Sequence, residues 1–374
     1  MDMKIGFDGK RITKNFTGLG NYSRYILHIL AEYYPANQYS IFTNSKPKAN
    51  FSFSKSASIR FHYSKNTFLK SIWRSFGMVK NLKNNKIELY HGLSNEIPFG
   101  LKNANIASVV TIHDLIFYRY PQYYPWLDRK IYEYKVRYAC KHADQIIAIS
   151  EQTKRDLINL FHIKDTKIEV IYQNCDPTFY TQFSENEKDR IKNLYQLPDE
   201  YLLNVGTIET RKNALLIVKA LKELDSFIHL VIIGKDTPYS QRIKDYIEAN
   251  GLKNRVHFLK NVSFKDLPGI YQEAKIFIYP SEFEGFGIPV VEALSSGIPV
   301  IAATGSCLEE AGGPGSIYVD PKNSDELAKQ IQFILGNKEQ REKMILAGYE
   351  HIKNFSNQKI AKKLIKLYQK ISEC

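Results

Sequence analysis

Short apolar runs alternate with stretches in which apolar residues return every three or four positions. This is the period of strands buried on both faces and of helices lying over them. In the first half, Lys4–Asp8, Tyr39–Thr43, Ile59–His62, Ile87–His91, Ala107–Ile112, Gln145–Ile149 and Lys167–Tyr172 read as strands. Gly18–Tyr34, Phe68–Asn84, Trp126–His142 and Glu151–Phe161 read as helices, and 44–58 as a polar loop. Residues 173–200 carry no strand signal; they contain Pro177 and Pro198 and read as a linker with one helix near 184–195. The alternation then resumes. Tyr201–Val205, His229–Ile233, Val256–Leu259, Lys275–Tyr279, Pro299–Ala302 and Ile317–Val319 are predicted strands. Asn213–Glu223, Tyr239–Asn250, Phe264–Glu273 and Ile288–Ser296 are predicted helices, followed by helical segments 323–335, 338–353 and 357–372.

Strand–helix alternation in two halves predicts an α/β protein with two doubly wound, Rossmann-like domains facing each other across a cleft. The expected N-terminal domain is 1–178 and the C-terminal one 196–355, with the last helix, 357–374, returning to the first. A chain of 374 residues is also too long for one core. No apolar run is long enough to cross a bilayer. Met1–Asp8 is too short and too acidic for a secretory leader and reads as the first strand. Cys140, Cys175, Cys307 and Cys374 are far apart and lack metal-ligand spacing, which fits a reduced, cytoplasmic protein.

Charge changes the picture. The formal net is +13; residues 1–180 carry 26 Lys+Arg against 14 Asp+Glu, and residues 181–374 carry 26 against 25. A basic first half suits an anionic partner: a phosphorylated ligand, an acidic membrane surface or nucleic acid. No zinc-finger or ribonucleoprotein signature accompanies the charge, which argues against nucleic acid. A solubility charge fits equally.

Five stretches could carry chemistry, each with a plain structural alternative, which for Arg211-Lys212 is an exposed basic cap and for Glu284 and Glu292 an ordinary acidic helix start. Thr17-Gly18-Leu19-Gly20-Asn21-Tyr22 lies between a strand and a helix, where glycines admit a phosphate. It lacks the third glycine and tight spacing of a dinucleotide fingerprint, and is equally a helix-capping loop. His113-Asp114 closes a predicted strand; the aspartate could set the histidine tautomer or meet a hydroxyl, or both could be structural. Gly206 to Asn213 places Arg211 and Lys212 at a helix start, against the macrodipole, which makes sense if an anion lies between them. Phe117–Tyr138 interleaves aromatics with cations, suited to a sugar face, a membrane interface or a packed helix. Finally, Ser281–Gly297 runs from a strand through Gly285, Phe286 and Gly287 into a helix, with Glu284 and Glu292 eight positions apart, roughly on one face. Asp-x-Asp is absent, so the usual carboxylate pair for a diphosphate-bound divalent ion is missing and protein cations must neutralise a leaving diphosphate.

In this order and spacing the pieces resemble the retaining family 4 glycosyltransferases of GT-B architecture, over nearly the whole chain. Glu284-x7-Glu292 within Pro280–Pro289 carries most of the likeness. His113-Asp114-Leu115 with Tyr120–Pro125 is similar to a bacterial mannosyltransferase branch that builds lipopolysaccharide and capsule. The resemblance implies that Arg211 and Lys212 bind the donor diphosphate, completed by backbone near Gly18 and Gly20. It implies that Glu292 holds the ribose, and that Glu284 with the Phe286 and Gly287 N–H groups holds sugar hydroxyls. It also places Val262 near the base and His113, with Asp114, against the donor sugar. Ser356-Asn357-Gln358 departs from relatives, which often carry an aromatic there.

The implied activity is transfer of a hexose, mannose first, from a GDP- or UDP-sugar to a glycan or lipid-diphosphate-linked acceptor. No metal cofactor and no nucleic acid are expected. The implied location is cytoplasmic, peripheral to an anionic inner membrane face. A GT-B sugar-nucleotide epimerase and a non-catalytic nucleotide-sugar-binding protein remain alternatives; a dehydrogenase is disfavoured by the missing third glycine.

Overall fold

Two parallel sheets organise the chain in a computed structural model, which describes residues 2–15, 18–44, 58–63 and 73–373. The first sheet contains β1 (Lys4–Asp8), β2 (Gln38–Thr43), β3 (Ser58–Tyr63), β4 (Leu89–Gly92), β5 (Ala107–Ile112), β6 (Gln145–Ala148) and β7 (Ile168–Val170). Their order is β3-β2-β1-β4-β5-β6-β7. The second contains β8 (Tyr201–Val205), β9 (His229–Ile233), β10 (Val256–Leu259), β11 (Ile276–Tyr279), β12 (Val300–Ala303) and β13 (Ile317–Val319), in the order β10-β9-β8-β11-β12-β13. Central strands such as β4, β11 and β12 are buried throughout, as helices on both faces require. Each sheet reverses order once, between β1 and β4 and between β8 and β11. Loops leaving the carboxyl ends of those strands are where open α/β sheets take ligands.

The chain divides into two compact units, Met1–Gln173 with Phe355–Cys374, and Asn174–Asn354. The division falls at 173/174 rather than after 178, and the helix Glu185–Tyr195 belongs to the second unit. There Ile191 packs so closely on Gly269 that a Cβ would lie 2.4 Å from its methyl. The final helix, Asn357–Ser372, belongs to the first unit and buries Leu364, Leu367 and Tyr368. At the divergent Ser356–Gln358, the Asn357 amide oxygen accepts from Tyr25 at 3.1 Å. Just upstream, Phe355 is buried edge-on to Tyr172.

Three short helices escape the sequence reading: Gly9–Lys14, Ile116–Arg119 and Leu308–Gly312. Of the expected helix Phe68–Asn84, residues 68–72 lie outside the described residues, 73–77 form a wide π-type turn, and Met78–Asn84 is α-helical. Most of the expected 44–58 loop, 45–57, also lies outside, as do Thr17 and Cys374. Cys140, Cys175 and Cys307 are buried free thiols.

The division redistributes the charge. The last helix brings Lys359, Lys362, Lys363, Lys366 and Lys370 to the first unit, which holds 31 Lys+Arg against 14 Asp+Glu, a balance of +17. The second holds 21 against 25, a balance of −4.

Candidate functional site

In the second unit the two loops at the switch point build one charged cluster. After β8, Gly206 adopts φ +150°, and a Cβ there would meet the Lys212 stem at 3.2 Å. The chain then makes a 3₁₀ turn, Thr210–Lys212, and Asn213 turns left-handed (φ 56°) before the helix Ala214–Leu221. Arg211 and Lys212 therefore stand just ahead of the helix, where the sequence reading puts them. After β11, Phe283 and Phe286 are each 2% exposed and anchor the turn. Gly287, at φ 107°, begins the helix Ile288–Ser295 with Pro289 in its first turn.

Four donors converge on Oε1 of Glu284. They are Arg211 Nη1 at 2.9 Å, Lys212 Nζ at 2.9 Å, the Tyr279 hydroxyl at 3.0 Å and the Ser281 hydroxyl at 2.8 Å. Arg211 also pairs with Glu209 at 2.7 Å and donates to the Phe283 carbonyl; Lys212 donates to Tyr279. The Cys307 thiol donates to the Glu284 carbonyl at 3.0 Å and fixes the turn from below. Burial pushes the Glu284 carboxyl up, but Lys212 and then Arg211 outweigh it and hold the group down at about 2. In the same way, Glu284 outweighs burial and raises both cations. A carboxylate this strongly engaged is a poor nucleophile, which favours an orienting role. With Oε1 saturated, Oε2 is the oxygen left for a ligand hydroxyl.

Glu284 precedes the helix, in the turn where the sequence reading puts it, and Glu292 lies inside the helix. Glu292 accepts from the Tyr271 hydroxyl at 3.0 Å. Burial, with Asp176 adding to it, raises its carboxyl to about 7 despite that hydrogen bond. One site thus holds two carboxylates of opposite character, one firmly ionised and one poised near neutrality. Gly285 is half-buried, and Val262 is half-buried just beyond β10.

In the first unit His113 follows β5. Its Nε2 meets the Leu93 carbonyl at 2.9 Å and therefore carries the proton; its main-chain N–H donates to Asn95 at 2.8 Å. Its carbonyl accepts from Thr153 at 3.2 Å. Nδ1 is left as an acceptor without a partner among the described residues. The tautomer is thus set by Leu93, not by Asp114, which accepts from Ile116 N at 3.0 Å. Burial lowers the His113 pKa to about 4, with Arg11 adding to the effect, so the ring is neutral at pH 7. A buried chain supports it: Tyr368 hydroxyl to His91 Nδ1, 2.6 Å; His91 Nε2 to Thr111, 2.8 Å; Thr111 to Tyr22, 3.0 Å. Tyr22 packs edge-on to the His113 ring, centroids 4.6 Å apart. The last helix thereby reaches the end of β5 through hydrogen bonds.

Gly18 and Gly20 open the helix Gly18–Tyr33. A Cβ on Gly20 would lie 1.8 Å from the Asn15 carbonyl oxygen, so glycine is required there; at Gly18 nothing lies within 4 Å. Tyr271, Tyr279 and Cys307 were missed by sequence reasoning, and Ser281 was read only as the start of the stretch that carries Glu284. The only available signal was Tyr279's place as the last residue of a buried strand.

The model for glycosyl transferases group 1 matches residues 185–351, and that for glycosyltransferase family 4 matches 23–179. The chain is similar to the O-antigen chain mannosyltransferase B of Escherichia coli, 27% identical over 77% of this chain and 76% of that one. Its fold is similar to that of a sucrose-phosphate synthase from Thermosynechococcus elongatus, with TM-score 0.79, 20% identity and 98% of each chain covered. It is also similar to that of Anabaena HepE in complex with UDP-glucose, with TM-score 0.77, 17% identity, 98% of this chain and 100% of that one.

Proposed function

The chain belongs to the family 4 glycosyltransferases, and on that premise we propose that it moves a hexose from a nucleotide-diphosphate sugar to a glycan or lipid-linked glycan acceptor in surface-polysaccharide synthesis. The observation that carries this is the Arg211–Lys212–Glu284 cluster at the β8/β11 switch point. Two half-buried cations fixed by one carboxylate form a preorganised site for charge that develops on a leaving diphosphate. Arg211 and Lys212 take the diphosphate, and Oε2 of Glu284 takes a sugar hydroxyl. Glu292 receives the ribose, with main chain at Phe286 and Gly287 on the sugar and Val262 near the base. In the first unit His113 Nδ1 accepts from a donor-sugar hydroxyl, and backbone at Gly18 and Gly20 approaches the phosphates. No metal is assigned a role.

The acceptor hydroxyl attacks the anomeric carbon from the face the diphosphate leaves. The new glycosidic bond forms as the sugar–phosphate bond breaks, and the hydroxyl proton passes to the departing phosphate. Configuration is retained. Mannose from GDP-mannose is favoured by likeness to a mannosyltransferase; UDP-glucose in the HepE complex keeps UDP-hexoses close behind. A thermal-shift screen of GDP- and UDP-sugars tests the donor. Selective stabilisation by GDP-mannose is expected, and no response to any nucleotide sugar would refute the assignment.

A lipid-diphosphate-linked acceptor would reside at an anionic membrane face. No described helix is long and apolar enough to cross a bilayer. The first unit nevertheless carries the +17 balance and exposes Trp126 (65%), Leu127 (62%) and Tyr134 (63%) on one helix. Peripheral association through these aromatics and cations follows. Flotation with anionic vesicles should recover the protein at low salt and lose it at high salt; equal behaviour with neutral vesicles would refute this.

A further inference from the structure

Asp8 ends β1 and caps the helix Gly9–Lys14, accepting from Lys10 N at 2.9 Å. That helix leaves the carboxyl end of a strand at the first unit's switch point, and it carries Arg11. Three other guanidinium groups of the unit are satisfied internally. Arg74 is held by Asp8 at 3.1 Å and by Glu96, Arg119 by Asp156 at 2.5 Å, and Arg24 by the carbonyls of Ile12 at 3.1 Å and Asn15 at 2.7 Å. Arg11 differs. Its Nε is buried without an acceptor, and no carboxylate pairs with it among the described residues. Asp8, three residues before Arg11, and Glu96 are both committed to Arg74.

A buried guanidinium N–H with no acceptor is unfavourable, and natural interiors rarely retain one without cause. Its surroundings indicate the cause. The Arg11 carbonyl accepts from Asn15 N at 3.2 Å and lies 3.1 Å from where a Gly20 Cβ would be, so Arg11 abuts the glycine turn. Its charge also acts on the ring of His113. A neutral hydroxyl acceptor, an open glycine turn and an uncompensated cation thus share one sheet edge. A sugar phosphate offers the complementary groups.

We propose that Arg11 binds a phosphate oxygen of the substrate beside His113. This rests on the glycosyltransferase reading and adds a residue to it. The phosphate belongs either to the nucleotide-sugar diphosphate or to a phosphate on the acceptor, and kinetics separate them. In the full chain, Arg11→Ala should lower kcat/KM about 10- to 100-fold, the range for one charge-assisted hydrogen bond. A raised KM for nucleotide sugar assigns the donor; a raised KM for acceptor alone assigns the acceptor. Added guanidinium ion should restore part of the loss, and Arg11→Lys should fall between. The Tm of Arg11→Ala should equal or exceed that of wild type, since a guanidinium with an unsatisfied buried N–H has been removed; a merely structural arginine would lower it. The inference is overturned if Arg11→Ala keeps both KM values and kcat within about twofold while Lys212→Ala is impaired. It is also overturned if activity and Tm fall together without guanidinium rescue. A wild type that turns over no nucleotide sugar removes both readings.

Discussion

Replacing Glu284 with Gln keeps the shape and removes the charge that fixes Arg211 and Lys212. The gap between a carboxyl at about 2 and its ordinary 4.5 corresponds to about 3 kcal/mol of stability. The loss of a partner from a buried ion pair gives a similar figure, ~3–5 kcal/mol. For a unit of this size, about 3 kcal/mol is a fall in Tm of roughly 6–12 °C by calorimetry at pH 7. The sign of the pH effect follows. The carboxyl is depressed in the folded state, so its contribution is present above pH 4.5 and is lost as pH falls through about 2. Wild type and Glu284→Gln should therefore converge in Tm as the solution is acidified. A nucleoside diphosphate should stabilise the variant more than wild type, because Lys212 then has no counter-ion and Arg211 keeps only Glu209. A variant that melts within about 2 °C of wild type at pH 7 and gains nothing extra from nucleotide would refute this electrostatic account.

Glu292 has the opposite sign. Its carboxyl is raised to about 7, so the contribution is present below pH 4.5 and is lost as pH rises through 7. Glu292→Gln should accordingly flatten the fall in Tm between pH 5.5 and 8 while weakening nucleotide affinity, measured by calorimetric titration. Gly20→Ala should destabilise by at least ~1–3 kcal/mol through its clash with the Asn15 carbonyl, whereas Gly18→Ala should fold normally, as paired thermal melts would show. Tyr368→Phe removes the partner of His91 Nδ1 and leaves it buried and unpaired, costing ~1–3 kcal/mol by denaturant titration.

The strands were visible in the sequence because parallel strands covered on both faces read as unbroken apolar runs. Gly9–Lys14, Ile116–Arg119 and Leu308–Gly312 were not, because a helix of one turn or so has no periodicity to detect. The helix Glu185–Tyr195 looked like linker because its attachment is tertiary: Ile191 seated on Gly269. At the site, Arg211, Lys212 and Glu284 stood out because charges beside a helix start and an apolar run break local rules. Tyr271, Tyr279 and Ser281 break none, and only the fold brings their hydroxyls to the carboxylates. Arg11 was invisible for a related reason. An arginine in a short basic stretch is ordinary until the structure shows its Nε buried without an acceptor.

The central claim, that Arg211 and Lys212 hold the diphosphate of a donor sugar during transfer, is tested most directly by nucleoside-diphosphate release. Wild type and Lys212→Ala should be assayed with GDP-mannose, with and without a lipid-linked acceptor extract. The account predicts release that requires acceptor and drops ~10²–10³-fold in the variant. Release independent of acceptor, or undiminished without Lys212, would contradict it.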